Sequence, residues 1–164
     1  MIGLALARRF PGTSVIGIDK CEKAVALSNE NAKLLGLKDS AYVAVCASAV
    51  EFSIKPDLKF DAVISNPPYI PSNDMLSLSK DVIDFEDYDA LCGGDDGLSV
   101  VREIITKLPK WLKPDGLGCW MEVDPSHPVL IQDLLNNQEK VRFVEYRKDF
   151  CERDRFVKLQ VTNV

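Results

Sequence analysis

The sequence is poor in the residues that build metal sites. It has one histidine, His127, and five widely spaced cysteines that form no C-x-x-C pair. A zinc site or a Cys–His nucleophile needs such residues in close combination, so neither is expected here. His127 lies in Pro125-Ser126-His127-Pro128, where we expect a loop or the start of a helix. The odd number and wide spacing of the cysteines predict free thiols in a reducing compartment.

Positive charge and long apolar runs are also scarce. The chain has 20 Lys and Arg residues and 25 Asp and Glu residues, which gives a net charge of −5. A protein that holds nucleic acid by neutralising phosphates needs a basic face, so a nucleic-acid partner is not expected. No apolar run is long enough to span a membrane, and no cleavable signal peptide is apparent. These features predict a soluble protein.

The composition is otherwise that of a globular domain. The chain has 164 residues, of which 46% are hydrophobic and 27% charged. This length and apolar content predict one domain, residues 1–164, with an adequate core.

Apolar patterning predicts strands that alternate with helices, which is typical of an α/β fold with a parallel sheet. A short helix is expected between the second and third strands, and an antiparallel hairpin is expected at the C-terminus. The predicted strands are residues 14–19, 41–46, 60–65, 117–123, 141–146 and 155–161, and the main predicted helices are residues 1–10, 21–36, 98–112 and 128–135.

The most informative stretch is Asn66-Pro67-Pro68-Tyr69, called here the NPPY loop, which ends the apolar strand 60–65. Neither proline has an N–H, and both restrict the backbone, so the strand must stop and the loop must be stiff. An Asn side-chain oxygen and a free proline carbonyl beside an aromatic ring suit a planar group with an NH2 to donate. An Asn-Pro turn is the plain alternative, but Asn-Pro-Pro-aromatic should occur by chance about once in a thousand chains of this length.

Asp19 ends the predicted strand 14–19 and has two interpretations. It could cap the following helix, with Glu22 completing a capping box. It could also accept the ribose hydroxyls of a nucleotide cofactor, because ligands in such sheets bind at the carboxyl ends of strands. The two roles are compatible.

Residues 70–98 show little periodicity and are rich in acid. After Lys80 no basic residue occurs before Arg102, while seven acidic residues do. Long irregular loops in compact domains are usually functional, so this segment could attract a basic partner. A solvated acidic loop is an equally good interpretation of the charges.

Together these motifs resemble the HemK-type class I S-adenosylmethionine-dependent methyltransferases, which methylate a glutamine side-chain amide in peptide-chain release factors. The resemblance covers nearly the whole chain. It rests on Gly3 to Ala7, the strand ending at Asp19, Ser65 with the NPPY loop, Phe85-Glu86, Ala90-Leu91, Gly94 to Gly97, and Asp149-Phe150 with Arg155. Glu122-Val123-Asp124-Pro125, His127-Pro128 and 147–151 are similar to the eukaryotic, mitochondrial branch.

The resemblance implies a Rossmann-like sheet, mostly parallel, with a C-terminal antiparallel hairpin. It implies S-adenosylmethionine as cofactor, Asp19 and Asn66 as cofactor-binding residues, and a release factor as partner. Asn66 and Pro67 are implied as the catalytic pair that accepts the glutamine N–H groups, while Pro68 and Tyr69 shape the substrate site. No metal is implied, and the location implied is the mitochondrion, or otherwise the cytoplasm.

The sequence departs from the family pattern at two places. The family's first strand and glycine-rich cofactor loop precede Met1, and Cys46-Ala47-Ser48-Ala49 stands where the family places an acidic residue. We therefore expect a domain incomplete at its N-terminus, marginal in stability and weak in cofactor binding, with two apolar strand edges lacking the central strand.

Other functions remain open at this point. The NPPY loop could hold the exocyclic amine of adenine in nucleic acid, although the net acidity counts against it. The chain could instead be a non-catalytic binding module that acts through residues 81–96. A nicotinamide-dependent dehydrogenase would explain Asp19 but not the NPPY loop.

Overall fold

The computed structural model describes residues 1–55 and 57–162. These form two compact units, Met1–Ser53 and Ile54–Val164. Each unit has its own small sheet, and each is described by itself.

The first unit is a βαβ arrangement preceded by a helix. It consists of α1 (Ile2–Arg9), β1 (Val15–Asp19), α2 (Glu22–Leu34) and β2 (Tyr42–Cys46). β1 and β2 are parallel, with Val15 opposite Tyr42 and Asp19 opposite Cys46. Parallel neighbours need a crossover, which α2 supplies. The buried core of the unit is small and consists of Leu4, Ala7, Ala32, Tyr42 and Ala44.

One polar side chain fixes α2 on the sheet of the first unit. The Asn29 amide donates to the Ala44 carbonyl at 3.0 Å and accepts from the Ala44 N–H at 2.8 Å. Among the described residues, β2 pairs with β1 along one edge and with no strand along the other. The Asn29 amide therefore pairs the backbone N–H and carbonyl of Ala44, which no neighbouring strand pairs there.

The second unit contains a four-stranded mixed sheet in the order β3-β4-β6-β5. Its β3 and β4 are parallel, whereas β4–β6 and β5–β6 are antiparallel. Its elements are β3 (Ala62–Ser65), α3 (Lys80–Phe85), α4 (Tyr88–Leu91), α5 (Ser99–Trp111), β4 (Gly118–Glu122), α6 (His127–Leu135), β5 (Val141–Lys148) and β6 (Asp154–Val161).

The core of the second unit is built largely from α5 and the sheet. α5 buries five side chains at helical spacing, namely Val101, Ile104, Ile105, Leu108 and Trp111. Alternate residues of β4 and β6, such as Cys119, Met121, Val157 and Leu159, are fully buried as well. This burial fixes the carboxyl ends of β3 and β4, from which the NPPY loop and Glu122 emerge.

The predicted α/β class, the parallel pairs and the C-terminal hairpin are confirmed. Three expectations were wrong. No helix lies between β2 and β3 in the described part of that connection. Residues 70–98 are not irregular throughout, since they contain α3, α4 and a 3-10 turn at Met75–Ser77. The capping box is not formed, because the N-cap of α2 is Cys21 rather than Asp19.

None of the helices within residues 1–55 and 57–162 is both long and apolar enough to cross a membrane.

Candidate functional site

The NPPY loop begins directly after β3. Ser65 is the last residue of the strand, and the Asn66 side chain that follows it is exposed. Pro67 is buried, whereas Pro68 and Tyr69 are half-buried. A stiff, buried proline therefore anchors the loop, while the amide of Asn66 faces solvent with its hydrogen-bonding capacity available.

Backbone hydrogen bonds fix the chain immediately after Tyr69. The Ile70 N–H donates to the Leu91 carbonyl at 3.0 Å, and the Ile70 carbonyl accepts from the Gly93 N–H at 2.8 Å. The Ser72 N–H then donates to the Gly94 carbonyl at 2.9 Å. The NPPY loop is thus held between β3 on one side and residues 91–94 on the other.

Gly97 makes a close approach to Tyr69 from the same segment. Its φ is +74°, and a Cβ on it would overlap the Tyr69 carbonyl oxygen. The same Cβ would also lie 2.9 Å from Cε1 of His127. Only glycine fits here, because any side chain would combine a disfavoured backbone angle with a backbone clash.

The phenol of Tyr69 is bound by Arg155, at the start of β6. Arg155 Nη2 donates to the Tyr69 hydroxyl at 2.7 Å and to Glu122 Oε1 at 2.6 Å. Its guanidinium carbon also lies 4.9 Å from the centre of the Tyr69 ring, within cation–π range. These three residues, called here the Tyr69 clamp, join β4, β6 and the NPPY loop.

His127 begins α6, which is one of the two positions that its flanking prolines predicted, and it is buried there. Its side chain is 2% exposed, and no partner for the buried Nδ1 lies in the described chain. Burial lowers the pKa of His127, while the carboxylates of Asp124 and Asp96 oppose this shift. The imidazole thus packs beneath Gly97 in surroundings whose burial disfavours its charged form.

Asp19 is exposed at the carboxyl end of β1, as predicted. Its Oδ1 accepts from the Cys21 N–H at 2.8 Å, and its backbone carbonyl accepts from the Ala47 N–H at 3.0 Å. In the connection that follows β2, the Glu51 carboxylate accepts from the Ser48 hydroxyl at 2.8 Å. Of these two acids, Asp19 is the last residue of β1, whereas Glu51 lies five residues after the end of β2.

The acidic segment 81–96 is mostly exposed. Its Asp87 caps α4 by accepting from the Asp89 N–H at 2.9 Å, and Asp96 forms a bidentate ion pair with Arg102. This pairing holds the pKa of Asp96 well below its usual range. At least two of these acids therefore have local structural partners.

Within the residues that the structure describes, no group of three or more His, Cys, Asp or Glu side chains could hold a metal ion.

A family model described as "Methyltransferase small domain" matches residues 1–84. The match contains both Asp19 and the NPPY loop, and it extends over half of the chain. The chain belongs to the methyltransferase small domain family.

Relatives of known name extend this similarity along almost the entire chain. A human protein, MTRF1L release factor glutamine methyltransferase, is 35% identical over 97% of this chain. A release factor glutamine methyltransferase of Clostridium acetobutylicum is 36% identical over 95% of it. The chain spans about half the length of these relatives, 48% and 54% respectively.

Solved structures support the fold. An rRNA methylase from Streptococcus thermophilus covers 92% of this chain with a TM-score of 0.56, at 14% sequence identity. A second rRNA methylase structure, from Clostridium thermocellum, has a TM-score of 0.54 at 16% identity. At such identities the likeness shows that the chain has the methyltransferase fold.

The structure adds residues that the sequence did not single out as part of the site. The roles of Glu122, Gly97 and Arg155 went unrecognised, although the motifs that resemble the family contain all three. The sequence contains one signal that could have identified Glu122. This residue ends a largely buried strand, where an unpaired carboxylate would destabilise the fold, so a cationic partner is expected. No sequence pattern indicates that its partner lies 33 residues further on.

Proposed function

We propose that the chain transfers a methyl group from S-adenosylmethionine to the side-chain amide nitrogen of a glutamine in a peptide-chain release factor. The observation that carries the proposal is the exposed Asn66 side chain on a stiff loop at the carboxyl end of β3. The names of the relatives support the choice of substrate. Because the family match crosses from one unit into the other, we assign residues 1–164 to one methyltransferase domain.

The NPPY loop suits a carboxamide for chemical reasons. A carboxamide nitrogen is a weak nucleophile, because its lone pair is delocalised into the carbonyl. The Asn66 oxygen and the Pro67 carbonyl would accept the two N–H groups, concentrate electron density on nitrogen and orient its lone pair. Pro68 and Tyr69 would form the walls of this carboxamide site, which we call the slot.

No strong base is needed in this scheme. As the new carbon–nitrogen bond forms and the methyl–sulfur bond breaks, the sulfur would leave as a neutral thioether, and the nitrogen would become acidic and release one proton, which water can accept. Asn66 and Pro67 therefore act by binding and orientation, and neither has to ionise.

The residues present fit part of an S-adenosylmethionine site. Asp19 places an exposed carboxylate at the end of a parallel strand, where it can accept ribose hydroxyls. Its Oδ1 accepts from the Cys21 N–H at the same time. Asn66, which faces solvent at the end of β3, is the second cofactor-binding residue of the proposal. S-adenosylmethionine, when bound, supplies an electrophilic methyl group on a positively charged sulfur.

The release factor is the proposed partner, and mitochondria are the proposed location. The first choice rests on the names of the relatives, and the second on the resemblance of residues 122–128 and 147–151 to the mitochondrial branch. The net charge of −5 disfavours nucleic acid as the substrate.

A labelling experiment tests this function. The chain is incubated with methyl-labelled S-adenosylmethionine and either a release factor or duplex DNA, and the label is located by mass spectrometry. We expect methylated glutamine in the release factor, and we expect Asn66→Ala to lower the rate by about a hundredfold, as loss of a preorganised polar group does.

The matched control is Asn73→Ala, which removes another exposed asparagine outside the NPPY loop and should leave the rate unchanged. Label on adenine with none on the release factor would reject the proposed substrate. Equal rates for the Asn66→Ala and wild-type chains would reject the proposed site.

A further inference from the structure

The Tyr69 clamp has a role that the NPPY loop alone does not explain. We propose that Arg155 is a positioning residue, which holds the Tyr69 ring in one orientation as a wall of the slot. This inference rests on the proposed function for its consequence in catalysis, but the clamp itself can be tested without any substrate.

Both the backbone and the side chain of Arg155 have partners other than Tyr69. Its backbone carbonyl accepts from the Val123 N–H at 2.9 Å, and its side chain is ion-paired with Glu122 at 2.6 Å. The Arg155 side chain is only 15% exposed. Little solvent is available to replace these partners, so the guanidinium has a defined position.

That position constrains Tyr69 in two ways. The hydrogen bond at 2.7 Å fixes the hydroxyl, and the cation at 4.9 Å from the ring centre fixes the plane of the ring. A single hydrogen bond would let the ring rotate about its long axis, whereas contact with the ring face opposes that rotation. Tyr69 is therefore restrained in both position and tilt.

Two further contacts in the described chain lie at the main chain of Tyr69 and its neighbour Ile70. Gly97 packs on the Tyr69 carbonyl, and the Ile70 N–H is bound to Leu91. These contacts fix the main chain and place no direct restraint on the ring. Arg155 supplies the restraint on the ring, and a misplaced wall would lower the fraction of bound carboxamide that is correctly aligned.

The hairpin provides a matched control for Arg155. Arg147, on β5, lies over the Trp120 ring at the same distance of 4.9 Å and pairs with Glu145 at 3.1 Å. It thus has the same two kinds of contact but does not touch the NPPY loop. Arg147→Met and Arg155→Met each remove a guanidinium group from the same hairpin, although the Arg147 side chain is 62% exposed and that of Arg155 15%.

The clamp is tested first by fluorine NMR on the chain labelled with 3-fluorotyrosine. The chain has four tyrosines, and the Tyr69 signal is identified by its loss in Tyr69→Phe. We expect Arg155→Met to shift and narrow the Tyr69 signal towards that of a mobile ring, while Arg147→Met leaves it unchanged. Arg155→Met combined with Glu122→Gln should show the same shift, which separates loss of the clamp from the effect of an unpaired Glu122. An unchanged Tyr69 signal in both Arg155 variants would overturn the proposal.

Kinetics test the consequence for catalysis. Arg155→Met should lower kcat about tenfold with a smaller change in KM, because alignment and not affinity is lost. Tyr69→Phe combined with Arg155→Met should be no slower than the slower single variant, since both act on one wall.

The two proposals fail in different ways. Rate losses that multiply in the double variant would show that Arg155 acts independently of Tyr69, and would overturn the inference. Absence of methyl transfer by the wild-type chain would reject the proposed function, while the fluorine signal would still decide whether Arg155 holds the ring.

Discussion

At the scale of single residues, His127 provides a direct probe of the packing beneath Gly97. Burial lowers its pKa in the folded chain, whereas in the unfolded chain it should titrate near its ordinary value of about 6.5. Between these two pKa values the unfolded state binds more protons, so stability should fall as the pH drops below about 6.5. Above that pH the imidazole is neutral in both states and contributes no slope.

Because the chain has one histidine, proton NMR can follow this titration directly. The His127 ring signal should titrate below pH 6.5 in buffer and near pH 6.5 in concentrated urea. An equal or higher pKa in the folded state would contradict the expectation that burial outweighs the carboxylates of Asp124 and Asp96.

The cysteines should divide sharply in reactivity. Cys119 is fully buried in β4, and burial raises its pKa to about 12. The hydrogen bonds of Tyr88 and Ser72 lower the pKa of Cys92, and the remaining three cysteines are exposed. Since the thiolate is the reactive form, Cys119 should be inert in the native chain.

Alkylation followed by mass spectrometry checks this order. The native chain at neutral pH should take up four maleimide groups rapidly, and a fifth only after denaturation. Peptide mapping should place the protected thiol at Cys119, and early labelling of that residue would show that the sheet is packed differently.

At the scale of elements, Gly97 determines how the acidic segment meets the NPPY loop. Gly97→Ala would introduce both an unfavourable left-handed φ and an overlap with the Tyr69 carbonyl. We expect a loss of roughly 3 kcal/mol in the free energy of unfolding of the second unit, measured by urea denaturation. The fluorine signal of Tyr69 should move as well, because its main chain must shift.

Gly36→Ala is the control for the backbone angle alone, and its cost is measured as the free energy of unfolding of the first unit, to which Gly36 belongs. Gly36 also has a left-handed φ, +68°, but a Cβ on it would meet no atom within 4 Å. That change should cost only about 1 kcal/mol, the typical penalty for a left-handed alanine. Equal losses of unfolding free energy in the two variants would mean that the Tyr69 carbonyl moves to accommodate the added methyl group at little cost.

The elements were predictable where one chain segment determines its own structure. Strands β1 to β3 follow from short β-branched runs, and α5 follows from apolar residues at helical spacing. β3 ends at Ser65 because the following prolines cannot continue a ladder. α6 likewise starts at His127, beside a proline suited to the first helical turn.

Contacts between distant segments could not be predicted in this way. Short helices α3 and α4 were missed because they bury no residue, which leaves no apolar periodicity to detect. Of the two interpretations of Asp19, the capping of α2 was wrong, because Cys21 is the N-cap of that helix and Asp19 Oδ1 accepts from the Cys21 N–H instead. The Tyr69 clamp could not be predicted from local sequence patterns, because its three residues lie in three separate segments of the chain. The assignments of Asn66, Pro67 and Pro68 to substrate and of Asp19 to cofactor remain predictions.

At the scale of the whole molecule, the two units differ in the size of their cores. All twelve of the largest fully buried side chains lie in Ile54–Val164. The core of Met1–Ser53 has five buried residues, three of which are alanines. Since stabilisation grows with the apolar surface removed from water, the first unit should be the less stable one.

Hydrogen exchange measured by mass spectrometry tests this difference. Helices α2 and α5 form a matched pair, because each has 13 residues but α2 buries one side chain and α5 buries five. Amides of α2 should exchange at least tenfold faster than those of α5. Equal protection would show that the two units unfold together and would contradict the lower stability expected of the first unit.

The Tyr69 clamp also has a consequence for biosynthesis. Tyr69 and Arg155 are 86 residues apart in the chain, so the ribosome adds the arginine several seconds after the tyrosine at about 5–20 residues per second. Throughout that interval the nascent chain carries the complete NPPY loop with an unrestrained aromatic ring. Premature termination before the last strand would therefore yield a polypeptide that keeps every residue of the motif and lacks the means to orient it.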